Sequence, residues 1–258
     1  MPKLEANIQF MFNEYEILDR YDMAAEVGFK GVEIQHPYDI SLDKIIQRLD
    51  VNNLQHIIIN TPVADPETNI NNISLRPDRK ELYKNRTNMA VEYAEGLGCE
   101  GVNIGIGQKP KDFSNDEITE TLLENIVYAA DELDKVGVKA LLEPINTLDQ
   151  PGFFISTSKA AIEIISLIGH KNLFLLYDFY HMQIMEGDLA RTVKNNLDII
   201  GHIQIADHPG RHQPGTGEIN YSFLMQYLDQ IEYKNWVGCE YYPKGHSKKS
   251  LEWAADWL

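Results

Sequence analysis

Two observations predict an α/β fold in the form of a closed (β/α)8 barrel. Short apolar runs with strand character alternate about eight times with longer stretches of helical periodicity, and such alternation means parallel strands joined by crossover helices. No Gly-x-Gly-x-x-Gly follows the first strand, which removes the main argument for an open dinucleotide-binding sheet. Eight units in 258 residues suit one TIM-type barrel domain spanning residues 1–258.

Residues 4–12 read as the first strand, and Asn13 is expected to cap a helix that Gly28 ends. Residues 31–35 form the second strand and 41–51 the second helix, with Ser41 as its N-cap. The third strand, 54–60, runs into a polar, proline-bearing loop at 61–77, and a helix over 78–97 stops at Gly98. The fourth strand, 100–107, carries glycines that hint at a close approach of backbone or ligand. Ser114 and Glu117 stand at capping-box spacing before a long helix that Gly137 closes. There follow a strand ending at Glu143, a helix over 158–168, a strand over 173–178 and a helix from about 186 to 197. Strand 201–207, helix 221–231, strand 236–240 and a C-terminal helix from Ser247 complete the chain.

Composition narrows the function. Lys and Arg total 23 against 39 Asp and Glu, a formal charge of −16, which argues against a nucleic-acid or anionic-membrane surface. A small anionic substrate stays open, because a local cation outweighs distant net charge. With no run long enough to span a bilayer and no apolar leader at the N-terminus, a cytoplasmic protein is expected. Cys99 and Cys239 show neither disulfide nor zinc spacing and are expected to be buried, reduced thiols.

The chemistry is expected where the seventh strand meets the glycine-rich loop of residues 201–218. Pleating puts Ile203 and Ile205 on one face and His202, Gln204 and Ala206 on the other. Three further apolar runs each close on one acid, Glu143, Asp178 and Glu240. Burying a lone carboxylate is costly unless it is paired, hydrogen-bonded or bound to metal, so these four strand ends suggest a cation site. In a barrel they converge at the C-terminal mouth. Three carboxylates and one amide suit a hard ion, Mg2+ or Mn2+, better than zinc. His181, three residues past Asp178 on the loop leaving the sixth strand, either faces this mouth or packs on loop backbone. His202 reads as a hydrogen-bond partner behind the ligands rather than a ligand. Arg211 either grips a carboxylate with its planar fork or lies solvated in its loop.

The segments Glu143-Pro-Ile-Asn146, Asp178-Phe-Tyr-His-Met182, Gly201-His-Ile-Gln-Ile-Ala-Asp207, Pro214-Gly-Thr-Gly-Glu-Ile-Asn220 and Gly238-Cys-Glu-Tyr241 resemble the hydroxypyruvate isomerase family, a branch of the xylose-isomerase-like barrels. The similarity runs over nearly the full chain, including Asn13-Glu-Tyr and Gly28-Phe-Lys-Gly-Val-Glu33. It implies one divalent ion held by Glu143, Asp178, Gln204 and Glu240, with Glu143 and Glu240 also the catalytic acid–base pair. Sister ketose 3-epimerases usually carry histidine at the position of Gln204. By the same resemblance His181 and Asp149 fall where those epimerases bind substrate, and Arg211 resembles their substrate arginine at a spacing that differs by one residue. The loop Asn60-Thr-Pro-Val-Ala-Asp-Pro66 departs from the family, lacking a glycine and a tryptophan expected there.

The implied reaction interconverts hydroxypyruvate and 2-hydroxy-3-oxopropanoate (tartronate semialdehyde) through an enediolate, so the expected partner is a small anionic hydroxy-keto acid. Alternatives are a 2-oxotetronate isomerase, a sugar epimerase and a non-catalytic sugar-acid binding protein. A nuclease of the endonuclease IV type needs a histidine-rich multi-zinc site and a basic face, which this chain lacks. The aromatic C-terminus, residues 253–258, packs either on the barrel or on another subunit of a homo-oligomer.

Overall fold

The computed structural model describes residues 2–68 and 70–258. Its strands are β1 (Lys3–Asn7), β2 (Gly31–Glu33), β3 (Gln55–His56), β4 (Ile58–Asn60), β5 (Gly101–Asn103), β6 (Lys139–Leu142), β7 (Leu173–Asp178), β8 (Ile200–Ile205) and β9 (Trp236–Cys239). Between them lie α1 (Asp19–Glu26), α2 (Leu42–Asn52), α3 (Lys80–Leu97), α4 (Asn115–Lys135), α5 (Ser158–Ile168), α6 (Phe179–Met185), α7 (Leu189–Asn195) and α8 (Tyr221–Gln230). The strands pair in parallel in the order β3-β2-β1-β9-β8-β7-β6-β5-β4. β3 and β4 are the two halves of the expected third strand. The first half pairs with β2 and the second with β5. Between them Ile57 donates to Val32 O at 2.8 Å and accepts from Glu100 N at 2.9 Å, so one residue joins the two ends and closes the ring.

The outer faces of the strands pack on helices, whereas the inner face has two layers. Leu141, Leu176 and Trp236 form a small apolar cluster with Ile57 and Ile58, apart from the main core. Each of the three lies two or four residues before Glu143, Asp178 or Glu240, hence on the same strand face. They are the floor beneath the acids. A Cβ at Gly101 or at Gly201 would come within 2.7 Å of Leu141, so glycine at both positions is what admits that leucine.

Several helix ends follow their local signals. Ser114 and Glu117 close a full capping box on α4, and Thr157 Oγ1 accepts from Ala160 N at 3.2 Å to open α5. Other boundaries differ from expectation. α1 begins at Asp19, not after Asn13, because Arg20 draws the preceding segment into turns, donating to Ile8 O at 2.9 Å and Tyr15 O at 3.0 Å. Phe12 sits there at φ 58° with its N–H on Ser247 Oγ at 2.8 Å. The helix expected from about 186 to 197 is the shorter α7, and the loop expected after the sixth strand is α6, the two parted by successive left-handed residues, Gly187 and Asp188 (φ 69° and 50°). The C-terminal helix is a 3-10 segment, Lys249–Ala254, and both Trp253 and Trp257 pack on this chain's own core. Cys99 and Cys239 are buried free thiols. No helix among the described residues is long and apolar enough to cross a membrane.

Candidate active site

Glu143, Asp178, Gln204 and Glu240 meet at the C-terminal mouth as expected, and all four are buried. They sit at the base of a cleft of about 490 Å³. Glu143 and Glu240 line it directly together with His181, Asp149 and Arg211, while Asp178 and Gln204 lie behind its surface. Asp178 is the last residue of β7, Glu143 and Glu240 directly follow β6 and β9, and Gln204 is the penultimate residue of β8.

Neighbours fix these side chains. Asn103 Nδ2 donates to Glu143 Oε2 at 2.6 Å, and Gln35 Nε2 donates to Glu240 Oε1. Asp178 Oδ1 accepts from Tyr180 N at 2.8 Å, capping α6. Gln204 Nε2 donates to Glu33 Oε1 at 2.9 Å, and Asn7 Nδ2 donates to the same oxygen at 2.7 Å. What remains is specific. Asp178 Oδ2, Gln204 Oε1 and Glu240 Oε2 are buried without a hydrogen-bond donor among the described residues. Three donorless acceptors on three of the four expected ligands fit a hard cation, because a buried acceptor without a partner loses its solvation uncompensated. Glu143 lies beside Asp178 and His181, one polar atom of each falling within 4.8 Å of the others.

His181 lies on α6 rather than on a loop. Its Nε2 is 3.7 Å from Glu143 Oε1 and 3.5 Å from Asp178 Oδ2. Its tautomer follows from Asn146, whose Oδ1 accepts from Leu148 N at 3.0 Å and Asp149 N at 2.8 Å. That orientation leaves the amide Nδ2 facing His181 Nδ1 at 2.6 Å, so Nδ1 accepts and the ring proton sits on Nε2. Burial, with Arg211 adding to it, holds the imidazole pKa well below its ordinary value. His181 is therefore a neutral donor aimed at the carboxylates.

Arg211 reaches the mouth instead of solvent. Its Nη2 lies 3.1 Å from Glu240 Oε1 and 3.7 Å from Asp178 Oδ2, and its guanidinium stacks 5.1 Å from the Phe10 ring and 5.3 Å from that of Tyr180. Asp207, which sequence reasoning left without a role, holds the loop that carries it. Its Oδ2 accepts from the N–H groups of Gly215 (2.8 Å), Thr216 (3.0 Å) and Gly217 (2.8 Å), and its Oδ1 from Ile219 N at 3.1 Å. Asp149 sits at the rim, where its Oδ2 accepts from Tyr180 OH at 2.8 Å and Asn146 Nδ2 at 3.0 Å. His202 meets none of the four expected ligands. It stands behind Glu33, which in turn holds Gln204.

The acids share one electrostatic environment. Burial raises Glu143 well above the usual carboxylate range, and the charges of Glu240 and Asp178 add to it. Burial likewise raises Glu240 well above that range, with Arg211 pulling back and Glu33 and Asp178 pushing further. Asp178 is raised by burial and moderated by Arg211. For Arg211 burial works against the charge, but Glu240, Asp178 and Glu143 outweigh it and push its pKa up. Such an arrangement can keep one carboxyl protonated beside an ionised partner, the condition for a paired acid and base.

The profile of a family described as xylose isomerase-like TIM barrel matches residues 21–258. The chain is 41% identical over 253 residues to the hydroxypyruvate isomerase of Escherichia coli (strain K12), with 98% of each chain covered. It is 36% identical over 258 residues to a 2-oxo-tetronate isomerase of Cupriavidus necator, covering 100% of this chain and 99% of that one. A crystal structure described as AP endonuclease, family 2, from Brucella melitensis superposes with a TM-score of 0.95 at 36% identity, covering 100% of this chain and 99% of that one.

Proposed function

This chain belongs to the xylose isomerase-like TIM barrel family and is an isomerase by its full-length relatives, and on that premise we propose that it interconverts hydroxypyruvate and 2-hydroxy-3-oxopropanoate. The observation that carries the reading is the pair of buried carboxylates, Glu143 and Glu240, lining one cleft. Two carboxylates set around one substrate can pass a proton between its neighbouring carbons.

The proton bookkeeping closes within the substrate. One glutamate takes the proton from C3, the C3 hydroxyl gives up its hydrogen as that carbon becomes the aldehyde, and C2 and its oxygen each gain one. Nothing is oxidised or reduced overall. Arg211 is the one arginine or lysine lining the cleft among the described residues and binds the substrate carboxylate. His181 Nε2–H donates to a substrate oxygen near Glu143 and Asp178, while Asp149 accepts a hydroxyl at the rim. Mg2+ or Mn2+ held by Glu143, Asp178, Gln204 and Glu240 would polarise the substrate carbonyl and the adjacent hydroxyl. The same reading makes this a cytoplasmic enzyme with a small anionic substrate and no nucleic-acid partner.

A second reading, 2-oxotetronate isomerisation, rests on the size of the cleft. About 490 Å³ walled partly by the amides of Asn71, Gln108 and Gln150 leaves room and hydrogen bonds beyond a three-carbon acid. Proton NMR in D2O tests both. Metal-dependent loss of the C3 proton of hydroxypyruvate with appearance of 2-hydroxy-3-oxopropanoate is the expected outcome. An unchanged hydroxypyruvate spectrum beside turnover of a 2-oxotetronate transfers the assignment, and inertness toward both removes it.

A further inference from the structure

Beneath the mouth the barrel holds a second polar cluster, which the proposed reaction does not use. Pleating turns Glu5 and Asn7 of β1, Glu33 of β2 and His202 of β8 inward, and all four are buried, at 0–2% exposure. His202 Nε2 lies 3.1 Å from Glu5 Oε1 and 3.7 Å from Glu33 Oε2. Even so, both oxygens of Glu5, Oε2 of Glu33 and Nε2 of His202 lack a hydrogen-bond partner among the described residues. The ion pairs of the two carboxylates among those residues run only to His202. Two carboxylates so deep in a protein, with donors on Glu33 Oε1 alone and no arginine or lysine beside them, are unstable as anions unless something neutralises them.

We propose that Glu5, Glu33 and His202 bind a divalent transition-metal ion inside the barrel, separate from the ion assigned to the mouth. The geometry suits a single ion. The three residues bring one donor atom each within 4.8 Å of one another. Two bonds of about 2.1 Å to one ion hold their donors no more than about 4.2 Å apart, and the separations of 3.1 Å and 3.7 Å from the imidazole both fall inside that reach. The ion's two charges balance the two carboxylates. An imidazole among the donors favours zinc, manganese or iron over magnesium. Gly238 on β9 leaves the place clear, since a Cβ there would come within 3.1 Å of Glu5 Oε1, His202 Nε2 and Gln204 Cγ. Glu33 links the two sites, its Oε1 accepting from Gln204 and its Oε2 facing the interior, so an ion held there would stiffen the support of Gln204.

Crystals of the full chain grown with Mn2+, and separately with Zn2+, test the proposal through anomalous difference maps at each metal's edge. A peak between Glu5, Glu33 and His202 is expected. Elemental analysis should find one equivalent fewer per chain in Glu5→Gln, and the interior equivalent retained in Asp178→Asn. Because the three ligands are closed off from solvent, that equivalent should also survive dialysis against EDTA under native conditions. No interior peak at saturating Mn2+ or Zn2+, or a water or a protonated carboxyl pair in that place, overturns the proposal. If Glu5→Gln does not fold, the map of the unmodified protein decides. A peak confined to the mouth would remove this inference and leave the isomerase reading standing, while a peak confined to the interior would do the reverse.

Discussion

Asn146 sets the proton of His181: its Nδ2 lies 2.6 Å from Nδ1 of the imidazole, and its Oδ1 is already taken by the N–H groups of Leu148 and Asp149. The amide cannot flip without stranding both backbone donors, so Nε2–H points at Glu143 and Asp178. Replacing Asn146 with alanine should lower kcat/KM about tenfold, the worth of one hydrogen bond of roughly 1.4 kcal/mol. Nitrogen-15 NMR of His181 should show the Nε2–H tautomer in the parent and a mixture in the variant. An unchanged tautomer would refute the role given to Asn146.

Glu143→Gln should abolish turnover, by a factor of about 10²–10⁴ for a lost acid–base group, without lowering the thermal midpoint. In the metal-free protein its carboxylate is disfavoured by burial and by the charges of Glu240 and Asp178, so there a neutral amide of the same shape relieves the fold. Glu240→Gln should be equally inactive but less stable, because it weakens the 3.1 Å pair with Arg211. Calorimetry and the D2O assay read the two effects separately.

Asp207→Asn exchanges a charged acceptor of four backbone N–H groups for an amide that can face only some of them. With each charge-assisted bond worth about 1.5–3 kcal/mol, a loss of about 3 kcal/mol is expected in urea denaturation. A freed loop misplaces Arg211, so KM should rise more than kcat falls.

Burial pushes His56 down to about 3 from 6.5, which leaves it neutral in the folded barrel. Between those two values the unfolded chain binds a proton that the folded chain does not, so stability falls as pH falls through 6.5. From pH 7 to pH 5 this one residue should remove about 2 kcal/mol, at about 1.4 kcal/mol per unit. His56→Gln cannot titrate and should lose correspondingly less than the parent over that range. Parallel pH profiles for the two proteins would count against it.

The residues of the mouth were legible where a polar side chain closes an apolar run, as Glu143, Asp178 and Glu240 do. Such a pattern depends only on the strand's own pleat. Gln35, Asn103 and Asn146 were not, because their roles come from side chains met across the barrel at Glu240, Glu143 and His181. Asp207 carried no such signal, since its four backbone partners lie eight to twelve residues ahead. Helix boundaries failed for a related reason. The start of α1 is decided by what Arg20 pulls on, and the gap between α6 and α7 by left-handed backbone at Asp188, a residue with no glycine's licence for it.

The third strand is thinly held on one side, with two residue pairs to β2, where the other neighbours in the ring share three or four. The segment that leaves it supplies Asn60, Thr61, Val63 and Asn71 to one wall of the cleft, while the acids stand on β6 to β9 opposite. The ring is thus most thinly paired at the β2–β3 seam, on the side facing the reacting groups. Local opening should begin at that seam, so the wall that admits substrate should exchange amide hydrogens before the strands that carry the two glutamates.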